Sequence, residues 1–351
     1  MGILKITNYF QLNSFFCYQK HEFTYCKEGK GTIMENQLKN KHVIVLNSNL
    51  SETEYDDIHN LEVICKAHDK TNLKLELDFK KSVSSVNTEA ITEFLYYIDN
   101  KLIAYLGICC FGGKANELNG MVHPDYRRKG YFSKLFYLAL SECRKDLKRE
   151  ILLLSDGKCE SGIRFIESMQ GKYSFSEYRM RQLNPEPENP NAYLILRNAK
   201  KNDLIEIAHQ NAIYFNTIDD YDQVHVDNNL DNTDSNEQCK SNEQSKTDAE
   251  TYSFHETTFI IELDSNTIGK ICIEFNENTA FIFGFGIKPE YRGLGYGRAA
   301  LIETLKLIHN RNITIIELDV ECKNDTALNL YKSCGFVEQS VMNYYEHSGK
   351  I

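Results

Sequence analysis

Residues 288–300 read KPEYRGLGYGRAA. They follow an apolar run, FIFGFGI (281–287), and lead into LIETLKLIHN (301–310). The apolar run has the length and aromatic, β-branched content of a strand. In the following stretch Leu301, Leu305 and Ile308 recur at helical spacing, which predicts a helix over about 297–309. Gly293, Gly295 and Gly297 therefore sit in a strand-to-helix turn behind Arg292. Successive backbone N–H groups from Gly293 through Leu294, Gly295, Tyr296 and Gly297 to Arg298 can form a concave nest at the helix N-terminus. There the helix dipole also favours an anion such as a pyrophosphate. Side chains would block close approach, so glycine suits several of these positions. Arg292 can add charge or pin the loop. The spacing Gly295-x-Gly297-x-x-Ala300, with Glu317 twenty residues past Gly297, also satisfies the dinucleotide fingerprint. That reading fails because five residues, Lys288 to Arg292, separate the strand from the glycines, whereas a dinucleotide turn follows its strand almost directly.

Outward from this turn, the chain repeats itself. HPDYRRKGY at 123 matches KPEYRGLGY at 288, with Pro124 and Pro289 165 residues apart. The same offset pairs IDNKLIA (98–104) with LDSNTIG (263–269), so the match extends over most of a domain. Three of the five prolines fall in NPEPENPN (184–191), between the copies, and mark a semi-rigid linker. The second copy predicts strands near 193–197, 257–263, 267–275, 279–287, 313–320 and 336–345, and a first helix near 203–213. The first copy predicts a helix capped by SETE (51–54), a capping box, with Tyr55, Ile58, Leu61 and Cys65 inward. The domain reading is an N-terminal extension over 1–40, a first domain over 41–183, the linker, and a second domain over 192–351. The stretch 226–250, with its tandem SNEQCK SNEQSK, lacks the apolar residues of a packed core and is expected to be disordered. Residues 27–31, KEGKG, would be encoded by purine-rich codons, which points to Met34 as the native start.

Composition excludes several function classes. The apolar fraction of 42% is that of an ordinary globular protein, and no run approaches the roughly 20 apolar residues of a membrane span. The N-terminus has neither a secretory pattern nor, with Ile6 where Ser or Thr is wanted, a myristoylation pattern. The formal charge of −10 disfavours nucleic acid as a partner. Eleven scattered cysteines without a CxxC pair fit reduced thiols in the cytoplasm, neither a disulfide framework nor a metal site. Cys322 and Cys334 read as core residues rather than nucleophiles.

The sequence resembles the GCN5-related N-acetyltransferase (GNAT) family. Arg292-Gly-Leu-Gly295-Tyr-Gly297 fits that family's acetyl-CoA motif, Arg/Gln-x-x-Gly-x-Gly/Ala. A second signature follows in LDVECKNDTALNLYKSCGF (318–336), with Asn324, Ala327, Leu330-Tyr331 and Gly335-Phe336. The resemblance covers about 193–346. It implies an α/β (α+β layered) fold with two tandem GNAT-like domains. Each would be a mixed, mostly antiparallel sheet splayed at its middle and flanked by helices, with acetyl-CoA in the split and no metal. It further implies that a backbone N–H of Phe285, Gly286 or Ile287 polarises the acetyl carbonyl, and that Gly284 and Gly286 permit the bulge that frees it. Tyr331 becomes the candidate general acid beside the CoA sulfur. Asn324 becomes a helix cap that also holds the pantetheine arm, together with Ala327. The strand 279–287 lacks the carboxylate many relatives place there, so Glu274, Glu321 or Glu317 is left as the base.

By the 165-residue offset, Arg292 and Gly295 correspond to Arg127 and Gly130. Gly297 corresponds to Phe132, Asn324 to Cys159, Ala327 to Gly162 and Tyr331 to Ile166. Isoleucine cannot donate a proton, and Phe132 is expected to crowd the nest. The first copy therefore reads as degenerate and non-catalytic. The expected function is cytoplasmic transfer of acetyl to a primary amine of a small molecule or peptide, by a monomer or homodimer. The alternatives are a non-catalytic acyl-CoA sensor or scaffold, and an aminoacyl transferase of the tandem fold.

Overall fold

The computed structural model describes residues 24–25, 41–77, 80, 90–110, 115–184, 194–215, 258–276 and 278–349. They form one 13-stranded sheet in the order β1-β2-β3-β4-β5-β6-β13-β7-β12-β11-β10-β9-β8. The strands are β1 Thr24–Tyr25, β2 His42–Asn47, β3 Glu93–Ile98, β4 Lys101–Cys109, β5 Ala115–Val122, β6 Glu150–Asp156 and β7 Lys172–Gln182. They continue with β8 Ile195–Asn198, β9 Thr258–Leu263, β10 Asn266–Phe275, β11 Thr279–Ile287, β12 Ile315–Glu321 and β13 Phe336–Glu346. Among the described residues six helices flank the sheet: α1 Glu52–Asp69, α2 Tyr131–Cys143, α3 Glu160–Ser168, α4 Leu204–Phe215, α5 Tyr296–His309 and α6 Asp325–Ser333. Each element predicted in the second copy is present within a residue or two. Apart from the short β1, which lies parallel to β2, residues 1–40 fall outside the described residues, and with them the expected start at Met34. The insert 226–250 also falls outside them.

Local chemistry sets these elements. Ser51 caps α1 as read from the sequence: its hydroxyl accepts from the Glu54 N–H, and the Glu54 carboxylate accepts from the Ser51 N–H at 2.9 Å. On α5, Leu301, Leu305 and Ile308 are fully buried against Ile271, Ile273, Ile282 and Leu318 of the sheet. In the N-terminal half, α2 and α3 cover Leu106, Leu118, Ile151 and Leu153, while α1 covers Leu95, Tyr105 and Met121 on the opposite face.

Two features of the sheet position the site. The first is a split in each half. β11 pairs in parallel with β12 only as far as Ile282 opposite Leu318. Beyond that point β11 pairs only with β10, and β12 only with β7. In the N-terminal half, β5 and β6 part after Leu118 opposite Leu153. The second feature is that each half's last strand completes the other half. β7 pairs with β12 and β13, and β13 pairs with β6 and β7. Core residues travel with them. Met180 of β7 is wholly buried in the C-terminal core, and Tyr345 of β13, its counterpart at the 165-residue offset, is buried in the N-terminal core.

Candidate active site

The glycine turn takes the shape its sequence suggests. Pro289–Tyr291 makes one 3-10 turn, and Arg292 then donates from Nε to the Ile287 carbonyl at 2.7 Å. Of the two roles open to Arg292, it pins the loop to the end of β11. Its guanidinium also lies 5.6 Å from the ring centroid of Tyr214 on α4. Gly293 and Gly295 have φ of 75° and 86°, in the left-handed region that glycine enters without penalty. Gly295 is the N-cap of α5, and a Cβ at either glycine would meet nothing within 4 Å. The turn thus presents unobstructed backbone at a helix N-terminus. A turn of this shape fits an anion such as a pyrophosphate.

Behind the turn, β11 is bulged. Lys270 pairs with Gly286 and Cys272 with Phe283, so Gly284 and Phe285 together stand opposite Ile271. Gly284 has φ 56°, which makes it the residue that permits the bulge. A Cβ on Gly286 would strike the Tyr214 ring at 2.3 Å, so α4 approaches β11 as closely as it does only over a glycine. In the N-terminal half the β4–β5 ladder runs in regular register through the same region.

Asn324 caps α6, its side-chain oxygen accepting from the Ala327 N–H at 3.1 Å. Tyr331 follows on that helix. It is buried among Ile287, Leu328 and Phe336, with its ring 6.0 Å from that of Phe336. Burial pushes its hydroxyl up to about 12, and among the described residues nothing hydrogen-bonds to it. A buried hydroxyl without a partner is costly and calls for a cause. The candidate bases are dispersed. Glu317 is held by Arg181, with 2.6 Å between Nη2 and Oε1. Glu321 is exposed at the end of β12, and Glu274 lies on β10 opposite Phe281. Burial raises the thiols of both cysteines; Cys334 lies in the core as read, whereas Cys322, expected there too, is only half-buried just past β12.

The N-terminal half keeps the loop and changes its contents. Arg127 Nε donates to the Val122 carbonyl at 3.0 Å, as Arg292 does to Ile287, and its other nitrogens clamp Asp69 at 2.7 and 2.6 Å. Gly130 caps α2 with φ 78°, but Arg128 takes the left-handed place of Gly293 with φ 62°. A cavity of about 620 Å³ opens in the split, lined by Asn119, Val122, Leu154, Asp156 and Phe132 among others. Phe132 does not crowd the nest as expected. Its ring turns into the cleft, packs edge-on against Phe165 at 4.9 Å, and lies where a Cβ on Gly120 would come within 2.8 Å. Cys159 begins α3 without a side-chain cap bond, and Ile166 is buried where the other half has Tyr331.

Sequence reading missed Lys270, which is 1% exposed on β10 and donates from Nζ to the Gly284 carbonyl at 2.9 Å. A lysine inside the apolar string IGKICI was the signal available. It also missed the polar cluster where the halves meet. There Lys74 Nζ reaches Glu177 at 3.0 Å, Asp319 at 3.1 Å and the Tyr344 hydroxyl at 2.6 Å. Arg179 Nε contacts Asp319 at 2.5 Å. Nothing in the local sequence brings these residues together.

A split sheet with a bulged strand, a glycine nest and a capped helix defines the acetyltransferase fold of the GNAT class, here in tandem. Residues 223–336 match the family model described as Acetyltransferase (GNAT) family. The [ribosomal protein bS18]-alanine N-acetyltransferase of Escherichia coli is 34% identical over 67 residues, which are 19% of this chain and 45% of that protein. The chain thus spans about half the length of the curated relatives it matches. Among solved structures, a GCN5-related N-acetyltransferase from Sphaerobacter thermophilus superposes with a TM-score of 0.67 at 14% identity, over 88% of this chain and 96% of that one. A tandem GNAT protein from the clavulanic acid biosynthesis pathway gives 0.62 at 12% identity, over 89% and 99%. Among the described residues there is no helix long and apolar enough to cross a membrane and no cluster of potential metal ligands.

Proposed function

We propose that this protein transfers acetyl from acetyl-CoA to a primary amine, in the cytoplasm, and that the C-terminal half carries the reaction. The observation that carries the reading is the conjunction of an open, pinned glycine turn with a bulged strand and a buried Tyr331 hydroxyl that has no partner among the described residues. Acetyl-CoA supplies the thioester. The amides of Gly293 to Arg298 hold the diphosphate, and the β11 bulge offers an N–H to the carbonyl oxygen as negative charge develops there. The amine nitrogen forms the new C–N bond, the C–S bond breaks, and Tyr331 gives its proton to the departing thiolate. With its hydroxyl near 12, Tyr331 stays protonated until the sulfur leaves. The amine's own proton passes to one of Glu274, Glu317 and Glu321, directly or through water.

The N-terminal half is proposed to be non-catalytic. Ile166 replaces the acid, the bulge is absent, and Arg127 is committed to Asp69. The E. coli relative is named as an alanine N-acetyltransferase of ribosomal protein bS18. That makes α-amines of short peptides the first acceptors to try here, followed by small polyamines and amino sugars. The test is thiol release from acetyl-CoA across that panel, with Tyr331→Phe alongside. The expected result is turnover with at least one amine, lowered about 10²- to 10⁴-fold in the variant while acetyl-CoA binding persists. Binding without turnover on any amine would favour the sensor reading. Equal turnover in the variant would remove Tyr331 from the chemistry.

A further inference from the structure

Among the described residues Lys270 is the one buried lysine, and it stands in a strand whose other buried residues are Ile268, Gly269, Ile271, Cys272 and Ile273. A buried ammonium is expensive, and its strong donors are expected to be satisfied by something that matters. One of its partners is the carbonyl of Gly284, the left-handed residue of the β11 bulge. Nor does Gly284 leave space for a side chain between them, since a Cβ there would come within 3.3 Å of Nζ.

The direction of that bond has a consequence across β11. The peptide joining Gly284 to Phe285 is planar and trans, so its C=O and N–H point in opposite directions. Lys270 lies on β10, along one edge of β11, and holds the carbonyl toward that edge. The Phe285 N–H is thereby turned toward the other edge, which β12 has vacated beyond Leu318. We infer that Lys270 is a positioning residue: it orients and polarises the Gly284–Phe285 peptide so that the Phe285 N–H faces the cleft as the donor to the acetyl oxygen.

The N-terminal half supplies an internal comparison. At the corresponding position stands Tyr105, whose hydroxyl donates to Glu93 at 2.5 Å, and the β4–β5 register there is regular. Lysine and bulge are present together in one half and absent together in the other. Burial also lowers the proton affinity of Lys270, but either form of the amine keeps an N–H to donate.

The inference rests on the proposed acetyl-CoA reaction, and its test separates the two. Acetyl-CoA labelled with ¹³C at the acetyl carbonyl is bound to wild type, Lys270→Met and Lys270→Gln, and the thioester C=O stretch is read by infrared difference spectroscopy. Binding constants are measured on the same samples. Met preserves the stem without a donor, and Gln preserves a donor without the charge. The expected result is a red shift on binding to wild type, its loss in Lys270→Met at unchanged affinity, and its partial return in Lys270→Gln. Turnover should follow the shift, falling roughly 10- to 100-fold in Lys270→Met with the acetyl-CoA KM unchanged. If Lys270→Met does not fold, the comparison of Lys270→Gln with wild type decides: an undiminished shift there, with turnover also undiminished on any one acceptor, overturns the role. An identical shift in Lys270→Met and wild type overturns the inference alone. Failure of wild type to bind acetyl-CoA overturns the activity and the inference with it.

Discussion

At Gly295 the needs of the fold and of the ligand can be told apart. The residue sits at φ 86° with open space where a Cβ would go. An added side chain would therefore strain the backbone, by about 1–2 kcal/mol, but would touch no protein atom within 4 Å. It would instead intrude on whatever lies against the turn. Gly295→Val is expected to lower stability by that modest amount while weakening acetyl-CoA at least about tenfold, a change of about 1.4 kcal/mol in binding. Gly130→Val is the matched control, since Gly130 has the same handedness and the same open surroundings at φ 78°. It should cost similar stability and leave the acetyl-CoA affinity of the C-terminal half unchanged. Calorimetric titration and thermal melts of both variants check this. Equal loss of binding in the two would mean that the turns act only through overall stability.

The helices beside the two splits differ at one capping position, and that difference is measurable by itself. Asn324 satisfies the Ala327 N–H at the start of α6, whereas Cys159 makes no such bond at the start of α3. Asn324→Ala should destabilise the protein by about 1 kcal/mol, and Cys159→Asn should stabilise it by a comparable or smaller amount, read from denaturant midpoints. Elements of this kind were legible in the sequence because their causes are local: the Ser51–Glu54 box, the Leu301–Leu305–Ile308 stripe, the glycine turn, and the GFG string that became the bulge. Less legible was anything set by approach between distant segments. The closeness of Tyr214 to Gly286 and the bond from Lys270 to Gly284 depend on how α4 and β10 pack. Phe132 was read as an obstacle to phosphate because its position was known but not the direction of its ring. The partners of β7 and β13 were illegible for a related reason. Both strands mix buried and half-exposed residues, so their pattern does not tell which open edge they join.

At the scale of the molecule, that choice of edge ties the halves together, and two consequences can be tested. If the linker were the boundary between independent units, halves expressed separately would each fold. Instead a chain ending at 184 would lack Tyr345 from its core and leave β6 without β13 on one side, and a chain starting at 192 would lack Met180. Each half alone is expected to be insoluble or to recover structure only when the two are refolded together, as sedimentation and circular dichroism would register. The second consequence concerns the polar cluster at this junction. Glu117 of β5 faces Lys74 and Glu76 from the loop after α1, Glu177 of β7 and Asp319 of β12. Burial and the neighbouring carboxylates outweigh Lys74 and raise Glu117 from 4.5 to about 7. Glu76 is raised too, chiefly by burial, while Lys74 and Arg179 overcome burial to keep Asp319 low. For a carboxyl raised on folding, the folded protein binds the proton more tightly than the unfolded chain. Its contribution to stability is therefore whole below about 4.5 and lost as pH climbs through about 7. Asp319 acts in the opposite sense and only at lower pH. Glu117→Gln removes the first dependence and leaves the second. The variant should match wild type near pH 4.5 and become more stable than it by pH 8, by an amount on the order of 1–3 kcal/mol. Paired denaturant titrations across that interval measure the difference directly. A difference that stays flat with pH would mean that Glu117 is ionised in the folded protein throughout, with Lys74 its effective partner.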